Sequence, residues 1–494
     1  MARSCPSMAN LLKFLKNARQ THLRFISEAL SSSPRSETPI YVIGNPSADL
    51  DSIISAIVYS YFAHNRVPLD CPRPHIPLVN LTNVPSGPEL RRLRPEFVKA
   101  FCLATATAPV IENGAWDETP ESVGTFLHDH IITVADFAAH LKQHRADKSH
   151  EQLSADATLV DWNALPIRSP HRQRGKGSLD GLATVDFQVL GCIDHHVDEN
   201  FLPPADSLPR GQPMLVRPAG SCTSLVVSTL REVDRWQDAS AAQLAKLAMA
   251  AILIDTANLT AKDKVTDSDT DAVHFLTSQI DNSTTDPGPN PPWDRNHFYN
   301  QILEAKQSSL DLLTVDEILG RDYKQWTETA HRDGESVPVH IGFCSMVRSI
   351  PWIVRKAGGP RAFLESLRAF AEHRELGVVV VMTAFDASTS TSAPEQQGRF
   401  CRELVACALD DGVATQALEA FAAQAGAQLG LQEWTTVEAG YKDELEETLA
   451  VMNNDAPGWR RIWLQTDVTK SRKQVAPLVR AAVAELKVNG NAGL

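Results

Sequence analysis

Short apolar runs that stop at, or just before, an acidic residue recur along this chain, and helical stretches lie between them. Pro39–Gly44 is followed by a turn holding Asp49 and Asp51, then by the helical stretch Ser52–Phe62. Thr158–Val160 ends on Asp161, and Phe187–Ile193 ends on Asp194. The helix predicted from Leu244 to Leu253 runs into the stop Ile252–Asp255. Strands alternating with helices in this way imply an α/β domain built on a largely parallel sheet. Ligands gather at the carboxyl ends of such strands. Asp49, Asp51, Asp161, Asp194 and Asp255 are therefore expected on one rim.

At 494 residues the chain exceeds what one ordinary core accommodates. The expected division is an N-terminal helical segment over 1–34, an α/β domain over 35–285, a linker over 286–300 and a second domain over 301–494. The linker is signalled by residues 281–296, rich in Pro, Asn and Asp. In the second domain, Val337–Phe343 and Gly377–Thr383 read as strands with the helix Pro360–His373 between them. Cys401–Leu409 is a further apolar stretch, residues 414–428 are good helix formers, and Val475–Val488 reads as a closing helix.

The formal net charge of −13 disfavours a general nucleic-acid binder. No apolar run approaches the roughly 20 residues of a membrane span. The eight cysteines include no C-x-x-C pair, which suits a reducing compartment and argues against a structural zinc site. The first 27 residues carry five basic residues and no acidic one. An amphipathic helix with Leu11, Leu12, Phe14 and Leu15 turned inward is preferred to a mitochondrial presequence. The expected location is the cytoplasm, with the mitochondrion as the alternative.

Asp49 and Asp51, two residues apart in a turn after a strand, offer hard oxygen donors suited to Mg²⁺ or Mn²⁺. Alone, such a pair is as readily a turn, and Asp51 a helix cap. Asp194-His195-His196 is more informative, because a polar triplet directly after a buried strand is poor core material. Histidine supplies a nitrogen ligand or a proton donor beside a phosphate. With Asp161 and Asp255 the set suffices for two divalent cations, which together can activate a shared hydroxide and clamp phosphoryl oxygens.

These motifs, with Gly44–Ser52, Gly220–Ser224, Ile252–Thr256, Arg321–Trp326 and Ser471–Val475, resemble the DHH phosphoesterase superfamily over nearly the whole chain. That superfamily includes family II inorganic pyrophosphatases, prune proteins and the cytosolic exopolyphosphatases of fungi, and the motifs fit the last best. The resemblance implies an N-terminal DHH domain with a mostly parallel sheet flanked by helices. A smaller C-terminal α/β DHH-associated domain would follow, with the active site in the cleft between the two. It implies Asp49, Asp51, Asp161, His195 and Asp255 as ligands of two divalent cations, Mg or Mn. Asp194 and His196 would be catalytic, with His196 beside the substrate phosphate. Lys324, Arg472 and Lys473 would grip phosphoryl oxygens, Arg as a bidentate fork and Lys as a point charge. Ser221 and Ser224 would donate to phosphate or cap a helix. Arg348, Arg355 and Lys356 would line a track for a polyanion or simply face solvent.

One departure bears on the substrate. Family II pyrophosphatases typically place histidine where this chain has Asn45. The loss of an imidazole favours harder cations, and Asn45 agrees with the exopolyphosphatase pattern. The function implied is removal of terminal phosphate from inorganic polyphosphate, a phosphoric anhydride hydrolysis. The alternatives are a prune-like or pyrophosphatase-like hydrolase of short-chain polyphosphates, nucleoside polyphosphates or cyclic nucleotides, and a non-catalytic interaction scaffold. The basic insert Ile167–Gly177 reads as a surface loop or a flap that meets the substrate.

Overall fold

The structure, a computed structural model, describes residues 11–28, 38–105, 119–144, 152–169, 173–233, 236, 240–282, 293–332, 335–386, 400–409, 412–435, 441–454 and 458–488. Residues 286–292 of the predicted linker and 170–172 of the basic insert lie outside these. The chain divides into two units, Met1–Ser309 and Leu310–Leu494. No helix among the described residues is long and apolar enough to cross a membrane.

In the first unit the apolar runs become strands because both faces of the sheet are covered. β1 (Ile40–Ile43), β2 (His75–Leu78), β3 (Leu153–Val160), β6 (Val185–Asp194) and β7 (Met214–Val216) run parallel, with β1 between β2 and β3 and β6 between β3 and β7. Val42, Val160 and Ile193 pack on one face with the helices Leu50–Ala63 and Ala241–Asp255. Tyr41, Ile43, Leu159 and Cys192 pack on the other with Ala18, Ile26 and Phe137. A sheet buried on both faces requires continuous rather than alternating apolar runs.

The remaining strands come from the basic insert. β4 (Ile167–Arg168) and β5 (Lys176–Ser178) form an antiparallel pair, and β5 continues antiparallel onto β6. The ends of the insert are thus part of the sheet rather than a plain loop. The N-terminal helix, Leu11–Glu28, buries Leu11, Leu12, Phe14 and Leu15 at no more than 2 % exposure. Side chains of this size each contribute about 2 kcal/mol on full burial.

The second unit is a seven-stranded mixed sheet in the order β14-β15-β13-β10-β9-β8-β16. Its strands are β8 (Tyr323–Arg332), β9 (Glu335–Met346), β10 (Val378–Thr383), β13 (Glu403–Ala408), β14 (Leu431–Glu433), β15 (Arg460–Gln465) and β16 (Lys487–Val488). β11 (Phe385–Asp386) and β12 (Phe400–Cys401) form a separate pair. The parallel pair β9–β10 is joined through the helix Pro360–His373, as the apolar pattern predicts. The last helix is Arg472–Ala484, shorter than the predicted Val475–Val488 at its C-terminal end, because Lys487 and Val488 pair with β8.

Candidate active site

The parallel register carries the loop after β1, Asp161 after β3 and Asp194 at the end of β6 to one rim. Ile43 lies opposite Leu159, and Val160 opposite Ile193. A one-residue irregularity between Ala157 and Thr158 sets this last alignment. Asp255 ends the helix Ala241–Asp255, as the helical run into Ile252–Asp255 predicts, whereas Asp161 and Asp194 lie at strand ends.

Gly44 lets the loop after β1 fold back on the following helix, since a Cβ there would stand 2.8 Å from Ser52 Cβ. Asp49 is the N-cap of that helix, accepting from Ser52 N–H at 3.0 Å. Asn45 is buried and donates Nδ2–H to Asp161 Oδ2 at 2.7 Å, while Ser52 Oγ donates to the same oxygen at 2.6 Å. Asp161 itself has φ of 56°, a strained backbone for a residue with a Cβ. Its Oδ1 faces His195 Nε2 at 3.1 Å and His196 Nδ1 at 3.7 Å. The Asn45 amide is thus directed at a carboxylate of the protein itself.

The two histidines differ in orientation. His195 Nδ1–H donates to the Ala219 carbonyl at 2.9 Å, which turns Nε2 towards Asp161. His196 Nδ1 sits 2.8 Å from Asp194 Oδ1, leaving Nε2 as its outward atom on a side chain 28 % exposed. Asp194 is fully buried; it also accepts from His195 N–H at 2.8 Å and from Asn163 Nδ2–H at 2.5 Å. Burial opposes its charge, but the hydrogen bond and charge of His196 hold its carboxyl below the usual range. Asp194 thus holds His196 Nδ1, the His195 backbone N–H and Asn163 in place.

One ligand atom each from Asp161, His195 and His196 lies within 4.8 Å of the others. The His196 atom on that side is the one bonded to Asp194, so Asp161 Oδ1 and His195 Nε2 are the better-placed pair. Burial works against charge on His195, yet the hydrogen bond and charge of Asp161, with Asp51 and Asp255, push its pKa up to about 9. The centre thus attracts positive charge.

Asp51 is 2 % exposed and accepts from Cys222 N–H, Thr223 N–H, Thr223 Oγ1–H and Ser221 Oγ–H at 2.6, 2.9, 2.6 and 2.8 Å. It sits at the N-terminus of the helix Cys222–Leu230, where a carboxylate is favoured by free N–H groups and the helix dipole. Burial raises its pKa, but His195 and these donors bring it below the usual range. Burial, together with the negative charges of Asp51 and Asp49, pushes the Asp255 carboxyl well up. Carboxylates this close cannot all be ionised without a cation among them. Carboxylate oxygens and an imidazole nitrogen are the donor types a divalent cation takes, and among the described residues Asp161, His195 and His196 stand close enough to share one.

Ser221 and Ser224, expected as substrate donors, are fully buried and committed inside the protein. Ser221 Oγ donates to Asp51 and Ser224 Oγ to Asp269 at 2.7 Å. Asp269 is a residue that sequence reasoning missed. It accepts from Gly220 N–H, Ser221 N–H, Thr266 N–H and Thr266 Oγ1–H at 2.8, 3.1, 2.7 and 2.7 Å. Its only sequence signal is a Thr-x-x-Asp cap at the start of the helix Asp267–Asn282. Lys264 was missed too; its Nζ lies 3.8 Å from Asp255 Oδ1.

In the second unit Lys324 pairs in register with Phe343 near the start of β8. Arg472 Nη1 donates to the Asp322 carbonyl at 3.1 Å and to Ser345 Oγ at 3.2 Å, and pairs with Asp322 Oδ1 at 2.8 Å. Lys473, exposed, follows it at the start of the helix Arg472–Ala484, so the three cations share one end of this sheet. Arg355 pairs with Glu444 at 3.1 Å, and Lys356 Nζ donates to the Asp311 carbonyl at 3.1 Å.

The model of the DHH family, N-terminal domain, matches residues 39–252, and that of the DHHA2 domain matches residues 300–482. A Schizosaccharomyces pombe protein described as "Putative exopolyphosphatase" is 26% identical over 490 residues, covering 96% of this chain and 98% of its own. Among solved structures, a Methanococcus jannaschii protein described as "putative family II inorganic pyrophosphatase" aligns over 90% of this chain and 99% of its own. That alignment has 17% identity and a TM-score of 0.44.

Proposed function

Because this chain belongs to the DHH family and carries a DHHA2 domain, we propose that it is a phosphoanhydride hydrolase, specifically an exopolyphosphatase that removes terminal phosphate from inorganic polyphosphate. The observation that carries the reading is the cluster of Asp49, Asp51, Asp161, Asp255 and His195. Its paired carboxylates call for cations, and the outward Nε2 of His196 lies beside it. The near full-length likeness to the fission yeast protein supports the substrate class, as does asparagine at position 45.

In this reading Asp49, Asp51, Asp161, His195 and Asp255 hold two divalent cations, Mg²⁺ or Mn²⁺. When bound, these supply the activation of water and the charge compensation that in-line phosphoryl displacement requires. Asn45 and Ser52 hold Asp161 Oδ2, so that Oδ1 is presented to the site. Ala219 fixes the His195 tautomer that leaves Nε2 as ligand atom. Asp194 holds His196 through Nδ1, so that His196 Nε2 is directed at a phosphoryl oxygen of the substrate. Lys324, Arg472 and Lys473 bind further phosphates of the chain.

The test is product analysis with polyphosphates of defined length in the presence of Mg²⁺ or Mn²⁺. Orthophosphate as the product, with kcat/KM rising with chain length, is the expected result. Preference for tri- or tetraphosphate would shift the reading to a short-substrate hydrolase. Full activity in Asp161→Asn or His195→Gln would refute the site.

A further inference from the structure

We propose that Arg94 is a positioning residue for the cation site, clamping the Asn45–Asp49 loop from behind and so setting its affinity for divalent cations. The inference rests on the reading of Asp49 and Asp161 as cation ligands.

Arg94 is 2 % exposed and occupies the break between the helices Pro88–Leu93 and Pro95–Thr105. Pro95 keeps the residue before it out of helical geometry, and Arg94 is non-helical at φ −131°, ψ 56°. The break gives the side chain a direction that a continuous helix would not. Its Nε–H donates to the Ala48 carbonyl at 2.8 Å, its Nη2–H to the Ser47 carbonyl, and its Nη1–H to the Leu93 carbonyl at 3.2 Å.

The two clamped carbonyls belong to the tightest part of the cation loop. Ala48 N–H closes a turn on the Asn45 carbonyl at 3.1 Å, and Ala48 has φ of 44°, a conformation unfavourable to a residue with a Cβ. Such a backbone persists only where its surroundings over-determine it. One end of the loop is Asn45, whose amide holds Asp161; the other is Asp49. A shift of the Ser47–Ala48 peptides therefore moves a first carboxylate directly and releases a second through Asn45. Guanidinium suits this task because its planar fork reaches two carbonyls at once, whereas an ammonium is a point donor.

The test compares wild type, Arg94→Lys and Arg94→Met in the full chain. Mn²⁺ binding is read by calorimetry and by the electron paramagnetic resonance of bound Mn²⁺, alongside thermal unfolding and steady-state kinetics. Arg94→Lys is expected to weaken Mn²⁺ binding about tenfold and broaden the spectrum, and Arg94→Met to weaken it further. KM for polyphosphate at saturating Mn²⁺ should stay within twofold of wild type. Arg94→Lys keeps the charge and carries the test alone if Arg94→Met does not fold. Wild-type Mn²⁺ affinity in a folded Arg94→Lys, even with a lowered melting temperature, would overturn the clamp while leaving the site reading intact. A wild-type protein that binds no Mn²⁺ would overturn the site reading and the clamp with it.

Discussion

Replacing Asp269 should loosen the segment that carries the His195 anchor, and the size of the effect follows from its hydrogen bonds. The buried carboxylate accepts three backbone N–H groups, from Gly220, Ser221 and Thr266, and two hydroxyls, from Ser224 and Thr266. In Asp269→Asn the least damaging placement sets the new NH₂ at Oδ1, where Ser224 can rotate to accept but Ser221 N–H is opposed. One orphaned buried donor and the loss of charge assistance cost about 2–3 kcal/mol. In Asp269→Ala all three N–H groups lose their acceptor, and the cost rises to about 4 kcal/mol or more. Two units of this size need not unfold together, so local opening is the quantity to measure. Hydrogen exchange over a peptide spanning 214–230 should accelerate roughly 30- to 100-fold in Asp269→Asn, as about 1.4 kcal/mol is tenfold. The Ala219 carbonyl, next to Gly220, holds His195 Nδ1, so Mn²⁺ affinity should fall as well. Protection within threefold of wild type in both variants would refute the argument.

His195 gives a pH prediction for the cation-free protein. Its pKa is raised from 6.5 to about 9, so its pairing with Asp161 stabilises the fold fully below pH 6.5 and is lost as pH rises through about 9. The full effect is on the order of 3 kcal/mol, from 1.36 kcal/mol per pH unit over that interval. Urea midpoints with a chelator at pH 6 and 9.5 should fall for wild type and change less for His195→Gln; equal falls would count against it. Gly220→Ala places a Cβ 2.8 Å from both Asp269 Oδ2 and Thr256 Cγ2. It should destabilise by about 2 kcal/mol, and a folded variant with unchanged exchange over 214–230 would contradict that packing.

The strands and their acidic ends were legible because apolar runs and their stops are local signals. The inward face of the first helix was legible for the same reason: Leu11, Leu12, Phe14 and Leu15 recur at helical spacing. What the residue pattern by itself determined, then, was the parallel rim and the residue types that could meet there.

Only the tertiary structure decided what each of those side chains faces. Asp51 lies against the N-terminus of a helix 171 positions away, and Asn45 against Asp161 116 positions away. Ser221 and Ser224 follow Gly220 within four residues like phosphate donors, yet their hydroxyls meet Asp51 and Asp269. Arg94 and Asp269 carry no local motif that sets them apart from an ordinary helix break and an ordinary cap. A carboxylate or guanidinium has several bonding directions, and its partners are chosen by whichever backbone the fold brings within about 3 Å. That choice depends on strand register and helix packing, which no short stretch of sequence contains.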